Sequence, residues 1–483
     1  MTAVTASHPG GRHSLVVINP GPRAALTCGS TIRGVIAGFA VAGALVALAP
    51  GAVAQTPLSL RQAVSIALEK NPQRKIAVAD QRAAQAGVQQ ARSALLPHLG
   101  FTESATRGND PVYVFGTLLR QQRFTTANFA LNALNTPTPI GNFSSRFSGD
   151  WNLFDSFANV KTVARARDLQ QAAGHQVERA DQETIFRVVQ AYLGLLLAQK
   201  QQDVAEQSVK TAQSILDRSR ARYESGVVVQ SDLLSAQVRL AGRQEELIRA
   251  RNNLAFAAAQ LDLAMGVPPE EQYQLSQELS EASLPPAALP DLEKQALASR
   301  PDLRQIEAQQ MAQEKTVSIA RSSYGPRLNA FGGWETDSAT LSRVQGNNWV
   351  AGLELQLDLF QGGAKKAQLT QAKALQERIA AAHQAASDQV RLEVRRAYYD
   401  FDSARQQVGV AQAAVGQAEE SMRINTNRYN AGITTITDLL TIEEAMRRAQ
   451  TDYWEAVYRM RASYANLELA AGTLNASSPV VTP

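Results

Sequence analysis

An arginine, a tyrosine, a glycine and an aspartate recur at one spacing in RYESGVVVQSDLL (Arg222, Tyr223, Gly226, Asp232) and in RYNAGITTITDLL (Arg428, Tyr429, Gly432, Asp438). Cation, phenol and carboxylate grouped in this way could transfer protons, hold an ion or latch one helix to another. Proton transfer finds no further support. Beyond residue 54 the histidines are His98, His175 and His383, each isolated and without a matching set of acids, so neither an acid–base centre nor a metal site is indicated. Cys28 is the single cysteine, which leaves the chain after it without thiol chemistry, disulfides or cysteine ligation. No GxxxxGK[ST] phosphate loop occurs, and no cofactor is implied. What remains is electrostatic and conformational. Gly226 and Gly432 suit left-handed helix ends, Arg222 and Arg428 suit the last turn of a helix, and Asp232 and Asp438 suit the first turn of the next.

Those corners need long elements to carry them. Residues 154–226 contain no proline, and Ile185, Val188, Val189, Tyr192, Leu195 and Leu196 follow helical spacing. At 1.5 Å per residue such a helix is roughly 100 Å long and must pack lengthwise against others. Tyr192 and Tyr398 fall on its apolar faces and their copies, as core residues.

The corner offset, 428 minus 222, is 206, and the same offset links Phe154 to Phe360, Tyr192 to Tyr398 and Gly266 to Gly472. Upstream, Pro72 matches Pro301 and Pro97 matches Pro326 at 229, so the first half carries an insertion of 23 residues. It falls around NFALNALNTPTPIGN (128–142) and reads as a long loop. The chain is thus a duplication. The first repeat is 55–270, with strands about 98–107 and 143–154 and long helices 155–225 and 232–265. A linker, 271–290, follows. The second repeat is 291–474, with strands about 327–336 and 348–360 and helices 361–431 and 438–471, and 475–483 is a flexible tail.

Strand patterning sits at the helix roots. In WVAGLELQLDLF (349–360), Trp349, Ala351, Leu353, Leu355, Leu357 and Leu359 alternate with Glu354, Gln356 and Asp358. Strands of about ten residues with one apolar and one polar face suit a membrane barrel with a wet lumen, where Glu354 and Asp358 would face water. Four strands cannot close a barrel and an open edge is not tolerated in lipid, so the barrel must be shared between chains. Two copies would supply eight strands, and three would supply twelve, wide enough for a passage.

The first 54 residues differ from the rest. Arg23 and Arg33 precede an apolar run, 34–54, ending Ala52-Val53-Ala54 before Gln55, the pattern of a cleaved secretory signal. Removal of this segment takes Arg12, Arg23 and Arg33 from the 48 basic residues, leaving 45 against 44 acids. The pI near 9.1 is therefore no argument for nucleic acid, and the scattered charges read as solvated helix faces.

Signal, duplicated strand-pair and long-helix unit, RYxxG...DLL corners and the WNLFDS and LDLFQGG junctions together resemble the TolC-like outer-membrane efflux protein family, over residues 55 to about 474. The resemblance implies an α+β membrane protein, a homotrimer whose four strands per chain build a twelve-stranded barrel in outer-membrane lipid above a periplasmic α-helical barrel. It implies docking on a periplasmic adaptor protein and an inner-membrane pump of RND or ABC type, through a tip containing Arg222, Tyr223, Gly226, Arg428 and Gly432. It further places Asp232, Tyr429 and Asp438 at the periplasmic entrance. The sequence departs from the family pattern there: Thr441 replaces a second entrance acid and Thr434 an arginine, with Glu443 and Glu444 nearby. A structural coiled-coil stalk that spans without conducting is the competing reading, and it gives no reason for a polar lumen.

Overall fold

The computed structural model describes residues 57–483 except 270–273, 282–283, 285–286, 342 and 482–483. The signal segment lies outside the described residues. In chain order, α1 (Leu60–Lys70) and α2 (Pro72–Ser93) lead to β1 (His98–Gly108). Then come α3 (Pro111–Arg120), a 3-10 turn (Thr126–Phe129), α4 (Leu131–Asn135) and β2 (Ile140–Phe154). The long helix α5 (Ala158–Glu224) returns as α6 (Gln230–Met265). The second half repeats this with α7 (Leu289–Ser299), α8 (Pro301–Ser322), β3 (Arg327–Ser338), β4 (Gly346–Gln356), α9 (Ala364–Asn430) and α10 (Ile436–Ala470). Among the described residues no helix is long and apolar enough to cross a membrane.

The two 67-residue helices, α5 and α9, are each roughly 100 Å long at 1.5 Å per residue. Each begins at a left-handed strand-to-helix junction. In the second half the positive φ angles fall on Gly362 (56°) and Gly363 (87°), where no Cβ is strained. The equivalent residues of the first half are Ser156 (56°) and Phe157 (65°). L-residues there cost about 1–2 kcal/mol each. Local contacts offset that cost: the Ser156 hydroxyl donates to the Pro326 carbonyl (2.9 Å), the Asp155 carboxylate accepts the Asn159 N–H (2.7 Å), and Phe157 packs edge-on against Phe154.

The strands form one antiparallel sheet in the order β1-β2-β3-β4. Pairing of β2 with β3 joins the two halves, and β1 and β4 are left as open edges. Register puts Phe101, Phe147, Trp334 and Trp349 side by side across all four strands, with ring centroids 4.8 Å (Phe101–Phe147) and 5.9 Å (Phe147–Trp334) apart. Leu99, Trp151, Ala330, Leu353 and Leu355 continue that face toward the helices. The opposite face carries Thr102, Arg146, Asn152, Asn329, Glu335, Asn348 and Glu354, interrupted by Val350 and by Phe331, whose ring covers Gly352. An 11-residue strand rises about 36 Å and, tilted near 40°, spans about 28 Å, the thickness of a membrane's apolar layer.

Three expectations change. Strand β4 ends at Gln356 rather than 360, because its partner β3 begins at Arg327, directly after Pro326 and its missing N–H. The β1–β2 connection that carries the 23-residue insertion is not a bare loop but contains α3, the 3-10 turn and α4. Within the linker, Leu275 bridges to Leu58 and Leu279 is buried. The tail is packed as well. Its Val480 and Val481 are buried in the main core with α1, α5, α6, α7, α9 and α10, beside Leu474, so that apolar side chains leaving water hold the described part of the tail down.

Candidate functional site

Each long helix ends in the same corner. The N–H of Val227 reaches the Arg222 carbonyl (2.8 Å) and that of Gly226 the Tyr223 carbonyl (2.9 Å); Ile433 and Gly432 repeat this with Arg428 (2.9 Å) and Tyr429 (3.0 Å). Gly226 (φ 70°) and Gly432 (φ 75°) occupy the left-handed position that closes the last turn.

The corners then diverge. In the second, the Thr435 hydroxyl accepts the Asp438 N–H (3.2 Å), while the Asp438 carboxylate accepts from the Thr435 hydroxyl (2.7 Å), the Thr435 N–H (3.2 Å) and the Thr434 hydroxyl (3.0 Å). Those hydrogen bonds, with the charge of Arg428 adding to them, hold the Asp438 carboxyl below the usual aspartate range. In the first corner the residue equivalent to Thr435 is Val229, which has no hydroxyl, so Asp232 sits half-buried in the first turn of α6 and supports the helix dipole alone.

Tyr429 is only 2% exposed, packed with Ile215, Ile436, Leu439 and Leu440 in a small core where the two halves meet. Its hydroxyl meets Ser219 (3.1 Å), not Asp232. The Arg222 guanidinium lies 4.8 Å from the Tyr429 ring centroid and donates to the Tyr429 carbonyl, so the first corner's arginine fastens the second corner's tyrosine. Arg428 and Tyr223 are exposed. The structure thus brings Arg222, Tyr429 and Gly432 together and leaves Asp232 and Asp438 on separate helix starts.

A second set of charges lies farther along the returning helices, which the corner motif does not reveal. Arg243 of α6 is 2% exposed and Glu443 of α10 3% exposed. The guanidinium grips Glu443 with two donors (Nε to Oε1 3.1 Å, Nη2 to Oε2 2.7 Å), reaches Glu246 with Nη1 (2.9 Å) and also donates to Glu444. Glu444 accepts from Arg447 (2.5 Å) and Arg239 (3.3 Å) as well. Burial alone would raise the Glu444 carboxyl, but hydrogen bonds from Arg447 and Arg243 and the charges of both outweigh it and hold it at about 2. For Arg243 too, burial opposes the charge and the paired glutamates more than restore it. Residue 243 has no arginine counterpart at position 449, so the duplication gave no signal. The adjacent Glu443-Glu444 pair was the one visible trace.

On the sheet, Glu354 lies on the polar face opposite Asn329, which in turn hydrogen-bonds Asn152 (3.0 Å). Asp358 does not join that row. It lies past the end of β4, its carbonyl accepting from Lys365 Nζ (2.8 Å) and its carboxylate 3.9 Å from the same ammonium, which makes it a brace of the strand-to-helix junction.

The family model described as outer membrane efflux protein matches residues 63–267 and 292–473. Alkaline protease secretion protein AprF of Pseudomonas aeruginosa is 25% identical over 86% of this chain and 85% of its own length. Outer membrane protein TolC of Escherichia coli is 26% identical over 86% and 83%. Among solved structures, the Campylobacter jejuni CmeC outer membrane channel superposes with a TM-score of 0.73 at 19% identity, covering 88% of each chain.

Proposed function

This chain belongs to the outer membrane efflux protein family, and on that premise we propose that three copies close a twelve-stranded barrel in outer-membrane lipid and extend it as a helical duct through the periplasm. The observation that carries the proposal is the sheet with both edges open, apolar on one face and polar on the other, standing on two helices of roughly 100 Å. Edge β4 of one chain pairs with edge β1 of the next, removing unpaired backbone from lipid. The polar face, with Glu354, then lines a wet passage, which a non-conducting stalk would not need.

The corners form the periplasmic tip. Arg222, Tyr223, Gly226, Arg428 and Gly432 present the docking end to a periplasmic adaptor, which links the duct to an inner-membrane pump of RND or ABC type. Three copies of Asp232 and Asp438 line the entrance, and Tyr429 with Arg222 holds α5 to the second corner so that the entrance helices keep their places. The exposed Asp438 carboxylate stays ionised at all physiological pH values, so the ring attracts cations. The purified protein should run as a trimer and conduct in planar bilayers, with block by multivalent cations from the periplasmic side that Asp438→Ala relieves. A soluble, non-conducting monomer would sink the duct; undiminished block in Asp438→Ala would sink the entrance assignment alone.

A further inference from the structure

The insertion between β1 and β2 sits at the end of the sheet opposite the helices, and every polar contact it makes to the strands falls on one face. The Tyr113 hydroxyl meets Thr106 Oγ1 (2.8 Å). Gln121, fully buried, donates to the Gly141 carbonyl (2.9 Å) and to Asn142 Oδ1 (2.8 Å), and Asn142 donates onward to Asp337 (2.6 Å). Arg120 stands 3.8 Å from Glu335, and Asn348 reaches the Arg120 carbonyl at 3.5 Å. Thr106, Asn142, Glu335, Asp337 and Asn348 share the alternation of Glu354, the polar face.

Two glycines report the same side. A Cβ built on Gly108 would lie 3.3 Å from the Tyr113 ring, and one on Gly346 only 1.7 Å from the Arg120 carbonyl oxygen. Both positions have the parity of the polar face, so α3 presses against the inside of the sheet closely enough to forbid a side chain at 346. The element's aromatic rings also touch one another, Phe124 lying edge-on to Phe115 (4.8 Å) and to Phe129 (5.1 Å).

We propose that residues 111–138 fold back into the external mouth of the barrel as a constriction that sets the size of what leaves. The inference rests on the duct reading. A barrel of twelve strands about 4.8 Å apart and tilted about 40° has a backbone radius of roughly 12 Å. Three helices, each about 10 Å across, then occupy roughly half of its cross-section. Gln121 is the residue that fixes the constriction to the wall, through Asn142, and Arg120 is its second tie, to Glu335.

The test uses the chain without Cys28, cysteine-free after signal removal, with Glu354→Cys placed in the lumen below the constriction. Intact cells are labelled from outside with a small maleimide and with a larger polyethylene glycol maleimide of about 0.5 kDa, whose coil fits a barrel of roughly 12 Å backbone radius but not one half filled by helices. The small reagent should label the single-cysteine protein, and the large one should label it at least tenfold more slowly relative to the small one. Replacing 111–138 by a short Gly-Ser turn should restore large-reagent labelling by at least tenfold. Should that deletion not assemble, Gln121→Ala with Asn142→Ala, which keeps the chain length, carries the test and should raise large-reagent labelling severalfold with trimers intact on gels. Equal large-reagent rates with and without the insertion, or its ties, overturn the constriction while leaving the duct standing. No labelling by the small reagent in any assembled variant overturns the duct itself, and the constriction with it.

Discussion

Replacing Arg243 by leucine should cost far more than a surface ion pair. The guanidinium is the only cation bonded to the buried Glu443 among the described residues, holding both of its oxygens. Without it, a carboxylate 3% exposed stays buried and unpaired, a loss of about 3–5 kcal/mol. That corresponds to roughly a few hundred- to a few thousandfold more frequent local opening. Hydrogen exchange of α6 and α10 amides in the detergent-purified trimer reads that opening directly. Arg243→Leu with Glu443→Leu removes charge from both sides and should lie within about 1 kcal/mol of the parent. If exchange in Arg243→Leu stays within threefold of the parent, or the double variant is as damaged as the single one, the two helices are not held by this network.

Three further outcomes are expected. Gly432→Ala should destabilise the tip by about 1 kcal/mol through backbone strain at φ 75°, because its new Cβ meets the Arg222 guanidinium at an ordinary 3.5 Å; thermal melts alongside Gly432→Asn, which tolerates that conformation better, check it. Burial lifts the Glu468 carboxyl to about 7, against a lowering hydrogen bond from Ser478, so the folded form binds the proton more tightly than the unfolded chain. Stability should fall as pH rises from about 4.5 to 7, by an amount on the order of 3 kcal/mol, and Glu468→Gln should abolish that slope in melts across the range. Since Asp438 is held below the ordinary aspartate value of 3.8, cation block attributable to it should persist at pH 4.5 and weaken only on further acidification; loss of block between pH 7 and 5 would assign it to another group.

Much of this protein is written in one-dimensional pattern. Proline-free periodic runs, glycines at 226 and 432 and the 206-residue offset determine two long helices, two corners and their order, because each rests on local backbone physics. Alternation in 349–355 determines which strand face is apolar and which is polar. Other features depend on partners distant in sequence. Asp358 carries the right alternation but lies past the end of β4, because pairing stops where β3 begins. The corner tyrosine, Tyr429, takes its surroundings from Ser219 and Arg222, 210 and 207 residues away in sequence. Whether a charge is buried is likewise a property of two helices meeting, so Arg243 reads in sequence as one more solvated arginine. The insertion reads as a loop because its direction, inward over Gly346 rather than outward, is decided by a close contact between residues 120 and 346 that no local pattern encodes.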